Sequence, residues 1–355
     1  MDAFAGLAVV NVGHGRREIA EAIAEQTVRL AYYPTTRQFS NRPAAELAAR
    51  LAALTPGDLT YAICGLPHMV EAYKVLHIPG FAKVAPPHPY RDRGTGTDEE
   101  LMQRRAAELR QAIVREGPET VSAVIMEPIL SSGGFIIPPL GWLRTVRSIC
   151  DELDVLMISD EVITGFGRTG RWFGVDHEGV VPDLMSVAKG ITSGYIPLSA
   201  SIARRRLADA FSETTTQENV HPNTYAAHPV ACAAALANLK IMEQDNLVDN
   251  AAKMGERLLQ GLQMAVGKRP IVGEVRGRGL LVCVDLVEPD GSGRSLDPKK
   301  VAELDRKAWD RGAIVYARGS VLRLAPPLCI TKEEVDELVG IVADSIEDLQ
   351  RDVAR

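Results

Sequence analysis

Three short apolar runs, each ending in a charged residue of a different kind, constrain this chain of 355 residues more than any other feature. Residues 121–126 (VSAVIM) lead into Glu127, residues 155–159 (VLMIS) into Asp160, and residues 184–188 (LMSVA) into Lys189. Runs of this length, partly β-branched and bounded by Pro and Gly, read as buried strands of a parallel sheet. In open α/β sheets the ligand lies beyond the carboxyl ends of the strands. The pattern therefore predicts that Glu127, Asp160 and Lys189 gather at one mouth. An amine beside a carboxylate at such an edge is equipped for Schiff-base chemistry on a pyridine-type cofactor.

A chain of this length with 46% hydrophobic residues can bury a large core, and its size suggests two domains. The formal net charge is −6 and no dense Lys/Arg stripe occurs, which argues against a nucleic-acid partner. Five scattered cysteines (Cys64, Cys150, Cys232, Cys283, Cys329), an odd number with no CxxC, argue against a disulfide scaffold or a zinc site. The apolar stretches fall short of the ~20 residues that span a bilayer. The first residues lack the basic and apolar regions of a signal peptide. A soluble cytoplasmic protein without metal or membrane partner is expected.

The predicted elements follow from spacing and punctuation. A strand is expected over residues 5–13 and a helix over 17–30. A second helix, 44–54, follows Asn41-Arg42-Pro43, and a strand-like run, 59–64, follows a turn at 55–58. After a loop over 86–98 and a charged helix over 99–116, strand-like runs and a helix at 142–153 alternate as far as Ala188. That rhythm implies right-handed crossovers. Helices are expected at 229–245 and 247–266. The remainder from 268 reads strand, strand, helix, strand, helix. Thr331 and Glu334 have capping-box spacing, ahead of a stripe of Val335, Leu338, Val339, Val342, Ile346 and Leu349. The expected class is α/β: a large, doubly wound, mostly parallel sheet domain with a smaller α+β domain built from both chain ends. Residues 1–36 and 265–355 would form the small domain and residues 37–264 the large one.

Residues 165–170 spell G-x-G-x-x-G, a dinucleotide fingerprint when it opens a helix directly after a strand. Here five residues separate it from the strand, and RWFGV follows instead of a helical pattern. A glycine-rich loop on a pocket wall is the better reading. Lys189 and Asp160 each have an ordinary explanation, a solvated surface charge and a helix cap. Their placement at consecutive strand ends favours a joint chemical role, in which the carboxylate holds a pyridine nitrogen protonated.

The run ISDEVITGFGRTG (158–170), with Pro182-Asp183 and Ala188-Lys189-Gly190, resembles the class III (omega) aminotransferases, which are pyridoxal-phosphate enzymes of fold type I. Glu127-Pro128 with Gly133-Gly134 and Pro138-Pro139, Asn223-Thr224 with His228-Pro229, and residues 324–328 (LAPPL) resemble further motifs of that family in the same order. The resemblance implies amino transfer from an ω-amino acid or amine to a keto acid such as pyruvate, by a ping-pong route through pyridoxamine phosphate. It implies that Lys189 carries the cofactor and shuttles a proton, that Asp160 pairs with the pyridine nitrogen, and that Val162 packs on the ring. Thr224 would reach the cofactor phosphate of a neighbouring subunit in a homodimer, and Glu127 would support the site. Arg323 and Arg318 are the two candidates for binding the acceptor carboxylate. Residues 32–39, beginning at Tyr32, resemble the stretch in members acting on taurine, β-alanine or diamines. An aminomutase or decarboxylating transaminase would use the same Lys–Asp pair.

The chain departs from the family pattern in two places. Where relatives have roughly fifty residues, with a Gly-Ser-Glu-Ala turn and a Tyr-His-Gly, Cys64 runs straight into Gly65-Leu66-Pro67, and neither motif occurs elsewhere. A true deletion there would weaken cofactor binding and leave a non-catalytic relative. An excision of that size would also expose apolar surface in the core, so the expectation is that the natural protein carries the segment. An intact mass of 38.5 kDa would defeat that expectation. The second departure is Ala8, which stands where many amine-using relatives have Trp and implies either a roomier pocket or a neutral packing change.

Overall fold

The computed structural model describes residues 1–33, 40–65, 82–92, 94, 96–131, 133–214 and 224–354, without the side chains of 60–65 and 211–214. Asn223, residues 34–39 and the far side of the Gly65 junction therefore lie outside the described residues.

The expected strand over 5–13 is not formed. The Asp2 carboxylate accepts N–H bonds from Phe4 (3.0 Å) and Gly6 (2.7 Å), which bends the chain into a kinked helical turn, α1 (Ala5–Ala8), with Gly6 at φ 69°. Helix α2 (Arg17–Leu30) forms as expected. Helix α3 (Arg42–Leu54) starts where the Asn41 side chain accepts the Ala44 N–H at 3.0 Å. Strand β1 (Leu59–Gly65), the short turn α4 (Pro89–Asp92) and helix α5 (Asp98–Glu116) follow. A Thr97–Glu100 capping box opens α5.

The alternating section resolves into β2 (Ala123–Met126), α6 (Trp142–Glu152), β3 (Leu156–Asp160), β4 (Leu184–Val187), β5 (Ser199–Arg204) and α7 (Arg205–Thr214). The sequence reading had no counterpart for the last two, because SASIAR lacks a sustained apolar run. The sheet order is β1-β5-β4-β3-β2. Strands β2, β3 and β4 pair in parallel, and β5 runs antiparallel to both β4 and β1. Four strands therefore share one direction, and the ends of β2, β3 and β4 face the same way.

Helices α8 (Pro229–Gln244) and α9 (Leu247–Val266) lead to a second sheet, made of β6 (Val272–Arg278), β7 (Leu281–Leu286), β8 (Tyr316–Arg318) and β9 (Val321–Leu324). Its order is β6-β7-β9-β8, antiparallel throughout. The single strand expected before the last helix is a hairpin that turns at Gly319 (φ 65°). The single helix before it divides into α10 (Pro298–Val301) and α11 (Glu303–Trp309). The last helix, α12 (Lys332–Val353), opens with the expected box, in which Thr331 Oγ1 accepts the Glu334 N–H at 3.2 Å. The two chain ends meet here: the Ala3 N–H donates to Ile314 O at 3.0 Å and the Ala325 N–H to Ala3 O at 2.9 Å.

Two apolar clusters result. The larger runs through both sheets and α8, α9 and α12. The smaller one, containing Phe4, Ala8, Ile129, Phe135, Cys283 and Val321, joins the chain start to the second sheet. Ala8 is 4% exposed within it, so it packs in a core there.

Candidate active site

The strand ends deliver three ionisable groups to one place. Glu127 follows β2 directly, Asp160 is the last residue of β3, and Lys189 opens the turn after β4. Each lies within electrostatic reach of the other two. Burial dominates all three and pushes each towards neutrality. It raises the Asp160 carboxyl above its usual range, against the opposing pull of the Val162 N–H (3.0 Å to Oδ1) and of Lys189. It raises Glu127, whose carboxylate accepts the Ser131 N–H at 3.1 Å. It lowers the Lys189 ammonium, with Glu127 and Asp160 raising it and Arg168 lowering it further. Lys189 has φ 45°, a left-handed backbone that costs a non-glycine residue about 1 kcal/mol or more.

Asp160 is not the helix cap of the ordinary reading, since a turn follows it and its Oδ1 faces Val162 N–H. Val162 is partly buried beside it. The 165–170 motif forms successive turns and opens no helix, as its context in the sequence implied.

Tyr32 and Thr224 come together elsewhere. Tyr32 Oη donates to Thr224 O at 2.7 Å, and its ring lies 6.2 Å from Tyr225 and 5.9 Å from His228. Thr224 is exposed and Tyr32 is 40% exposed. The two arginine candidates differ. Arg323 is partly buried on β9 with its guanidinium carbon 5.4 Å from the Tyr316 ring centre. Arg318 is exposed at the tip of the β8–β9 hairpin, its Nη1 3.3 Å from Tyr316 Oη. The groups acting most strongly on Arg323 are Cys283, Tyr316, Arg318 and Arg276, all on the second sheet.

Sequence reasoning missed the residues behind Lys189. Arg168 is fully buried and donates to Pro326 O and Asn11 Oδ1. Asn11 is 1% exposed. Glu161 is also fully buried. It accepts bonds from Thr164 Oγ1 and from the N–H groups of Gly174 (2.8 Å) and Val175 (2.9 Å), which pins the glycine loop. An Arg among glycines and a Glu after an Asp both read as surface residues, and the only signal was their place inside a motif.

A partly buried amine and a partly buried carboxylate at neighbouring parallel strand ends fit the carbonyl and ring-nitrogen ends of pyridoxal phosphate. A cavity of about 810 Å³ runs along the outer strand, lined by β2, by Leu109 and Ile113 of α5, by Trp142 of α6, and by Glu127; neither Asp160 nor Lys189 lines it.

The family described as Aminotransferase class-III matches residues 60–346. An uncharacterized aminotransferase of Sinorhizobium fredii is 36% identical, covering 100% of this chain and 88% of its own length. That alignment spans 409 positions against 355 residues here, so about 54 positions have no counterpart in this chain. The putrescine–pyruvate aminotransferase of Pseudomonas aeruginosa is 32% identical over 98% of this chain and 86% of its own. The crystal structure of an omega transaminase from Pseudomonas jessenii, in complex with PMP, superposes with a TM-score of 0.95 at 30% identity, covering 99% of this chain and 89% of its own.

Proposed function

Because this chain belongs to the class III aminotransferases, we propose that it takes an amino group from an ω-amino acid or amine and delivers it to pyruvate, with Lys189 and Asp160 as its catalytic residues. It is a pyridoxal-phosphate-dependent transaminase acting on a keto acid. When bound, the cofactor supplies a carbonyl for the incoming amine and a ring that takes up the electron pair released at the substrate carbon.

The chain's own groups then have distinct tasks. The Lys189 Nζ attaches the cofactor and afterwards moves a proton at the reacting carbon. Burial supports this, because it favours the neutral amine such a step needs. Asp160 holds a proton on the ring nitrogen, Val162 covers one face of the ring, and Glu127 supports the site from the β2 side. Thr224 reaches the phosphate of a second copy in a homodimer; its exposure, with Tyr32 beside it, supports that. Arg323 is favoured over Arg318 for the acceptor carboxylate, because it is partly buried next to the cluster that contains Ile129 and Ile163. The chain is read as a large domain (37–264) and a small one from both ends (1–36, 265–355), which the presence of two separate sheets supports. No described helix is long and apolar enough to cross a membrane. Four free cysteines among the described residues support a reducing compartment such as the cytoplasm.

The convergence of Lys189 and Asp160 on adjacent strand ends carries this reading. The test is a donor panel (putrescine, taurine, β-alanine, benzylic amines) with pyruvate and added pyridoxal phosphate, following alanine formation. Lys189→Ala is expected to abolish turnover and Asp160→Ala to slow it by ~10²-fold or more. Alanine formation by the Lys189→Ala variant, or donor consumption with CO₂ release and no acceptor, overturns it.

A further inference from the structure

The left-handed turn at Lys189 is held from behind by a buried polar cluster that reaches both chain ends. The Asn11 Nδ2 donates to Phe166 O at 2.8 Å, its Oδ1 accepts from Arg168 Nη2, and its backbone O accepts the Leu328 N–H at 2.8 Å. Arg168 Nη1 donates to Pro326 O, and its backbone O accepts the Leu280 N–H at 3.0 Å. Phe166 is itself left-handed (φ 55°), so the cluster grips two strained residues, one directly and one through its neighbour. That neighbour is Gly190: a Cβ built on it would lie 2.5 Å from Asn11 Nδ2 and 2.9 Å from the Phe166 side chain. On the opposite side Asn238 Nδ2 donates to Gly190 O (2.8 Å) and Ile191 O (3.1 Å), while its Oδ1 accepts from Ser193 Oγ at 2.6 Å. The residue after Lys189 is thus wedged between two buried side-chain amides.

We propose that Arg168 and Asn11 are positioning residues for Lys189: together they clamp its turn in the left-handed form and place a buried cation behind its amine. Strain of this kind persists only where surrounding contacts over-determine it, and these two side chains supply the contacts on one side. The charges facing Lys189 are Glu127 from β2, Asp160 from β3 and Arg168 from the glycine loop. The two carboxylates, when ionised, hold a proton on the amine; Arg168 is the cation that opposes them. Asp2 and Cys329 are the groups facing Arg168. A planar, forked donor is required, because one guanidinium bridges a carbonyl on the C-terminal loop and an amide at the chain start. The clamp also makes the Lys189 turn depend on residues 11 and 326, so loosening of either chain end reaches the reacting amine.

The inference rests on Lys189 being the reacting amine, yet its test needs neither cofactor nor turnover. Cofactor-free wild type, Arg168→Gln, Arg168→Lys and Asn11→Ala are labelled with an amine-acylating reagent over a range of pH, and Lys189 modification is read by peptide mass spectrometry. Amide hydrogen exchange over residues 188–193 is read in parallel. Arg168→Gln is expected to move the Lys189 titration upward and speed exchange in the turn by ~10-fold. Asn11→Ala is expected to speed exchange with a smaller change in titration. Arg168→Lys is expected to keep the titration near wild type while exchange rises, which separates charge from geometry. A folded Arg168→Gln or Asn11→Ala protein with unchanged titration and exchange overturns the proposal. Should Arg168→Gln fail to fold, Arg168→Lys and Asn11→Ala decide alone, and unchanged exchange in both overturns it. Failure of the transaminase reading would appear separately, as alanine formation by Lys189→Ala.

Discussion

At the residue scale, the three charges at strand ends were legible because a parallel strand fixes where its last side chain goes. The buried partners were not, because nothing local marks an Arg or Glu as interior. Glu161 shows the consequence. Its carboxyl is pushed up to about 7 by burial, against the Thr164, Gly174 and Val175 donors. An unfolded glutamate titrates at 4.5, so between the two values the folded protein holds the proton that the unfolded chain has lost. The stability that this group contributes is therefore fully present below about pH 4.5 and is lost as the pH rises through about 7. Glu161→Gln is expected to lower Tm at every pH, because its amide cannot accept both backbone N–H groups. It is also expected to flatten the decline of Tm between about pH 5 and 8. Thermal melts of both proteins at half-unit pH intervals check this. An unchanged slope would show that the carboxylate is held ionised by its three donors.

At the element scale, helices were read more accurately than strands. The boundaries of α2 and α9 came out residue for residue, since an amphipathic period is a local signal. The β8–β9 hairpin and β5 were missed, because their runs are only three to six residues long and give little alternation to read. The glycine loop was recognised as a loop, but what it packs against was not visible. Its purpose is close approach of three backbones. A Cβ on Gly170 would lie 2.9 Å from Ala252 of α9, one on Gly255 of α9 would lie 2.1 Å from Gly279 O, and one on Gly279 would lie 2.3 Å from Thr169 C. The loop after β3, helix α9 and the β6–β7 turn thus touch through bare backbone. Gly255→Ala favours the helix by propensity, ~1 kcal/mol. The clash nevertheless has no flexible side chain to absorb it, so a net loss of at least ~2 kcal/mol is expected. Denaturant unfolding measures the balance, and a variant as stable as wild type would mean that these three segments can separate without cost.

At the scale of the whole molecule, the first sheet ends, among the described residues, in two edge strands, β1 and β2. Among the described residues β1 pairs with β5 alone and β2 with β3 alone, and it is β2 that carries the exposed apolar surface. Ile125 in the middle of β2 is 57% exposed, and the apolar cavity of about 810 Å³ runs along that strand. The Sinorhizobium fredii relative carries about 54 aligned positions that this chain lacks. An open apolar edge strand is a template for pairing with another chain, and a contiguous apolar patch promotes association. The 355-residue protein is therefore expected to bind an apolar fluorescent dye in its native state and to scatter light increasingly with concentration. Ile125→Lys places a charge at the centre of the edge, pointing to solvent where no described partner is displaced. It is expected to reduce scattering several-fold while leaving the unfolding free energy within about 1 kcal/mol of wild type. Light scattering and dye titration on the two proteins, side by side, decide the matter. Equal scattering would place the association surface elsewhere, and the exposed tyrosines Tyr32 and Tyr225 would become the next surface to alter.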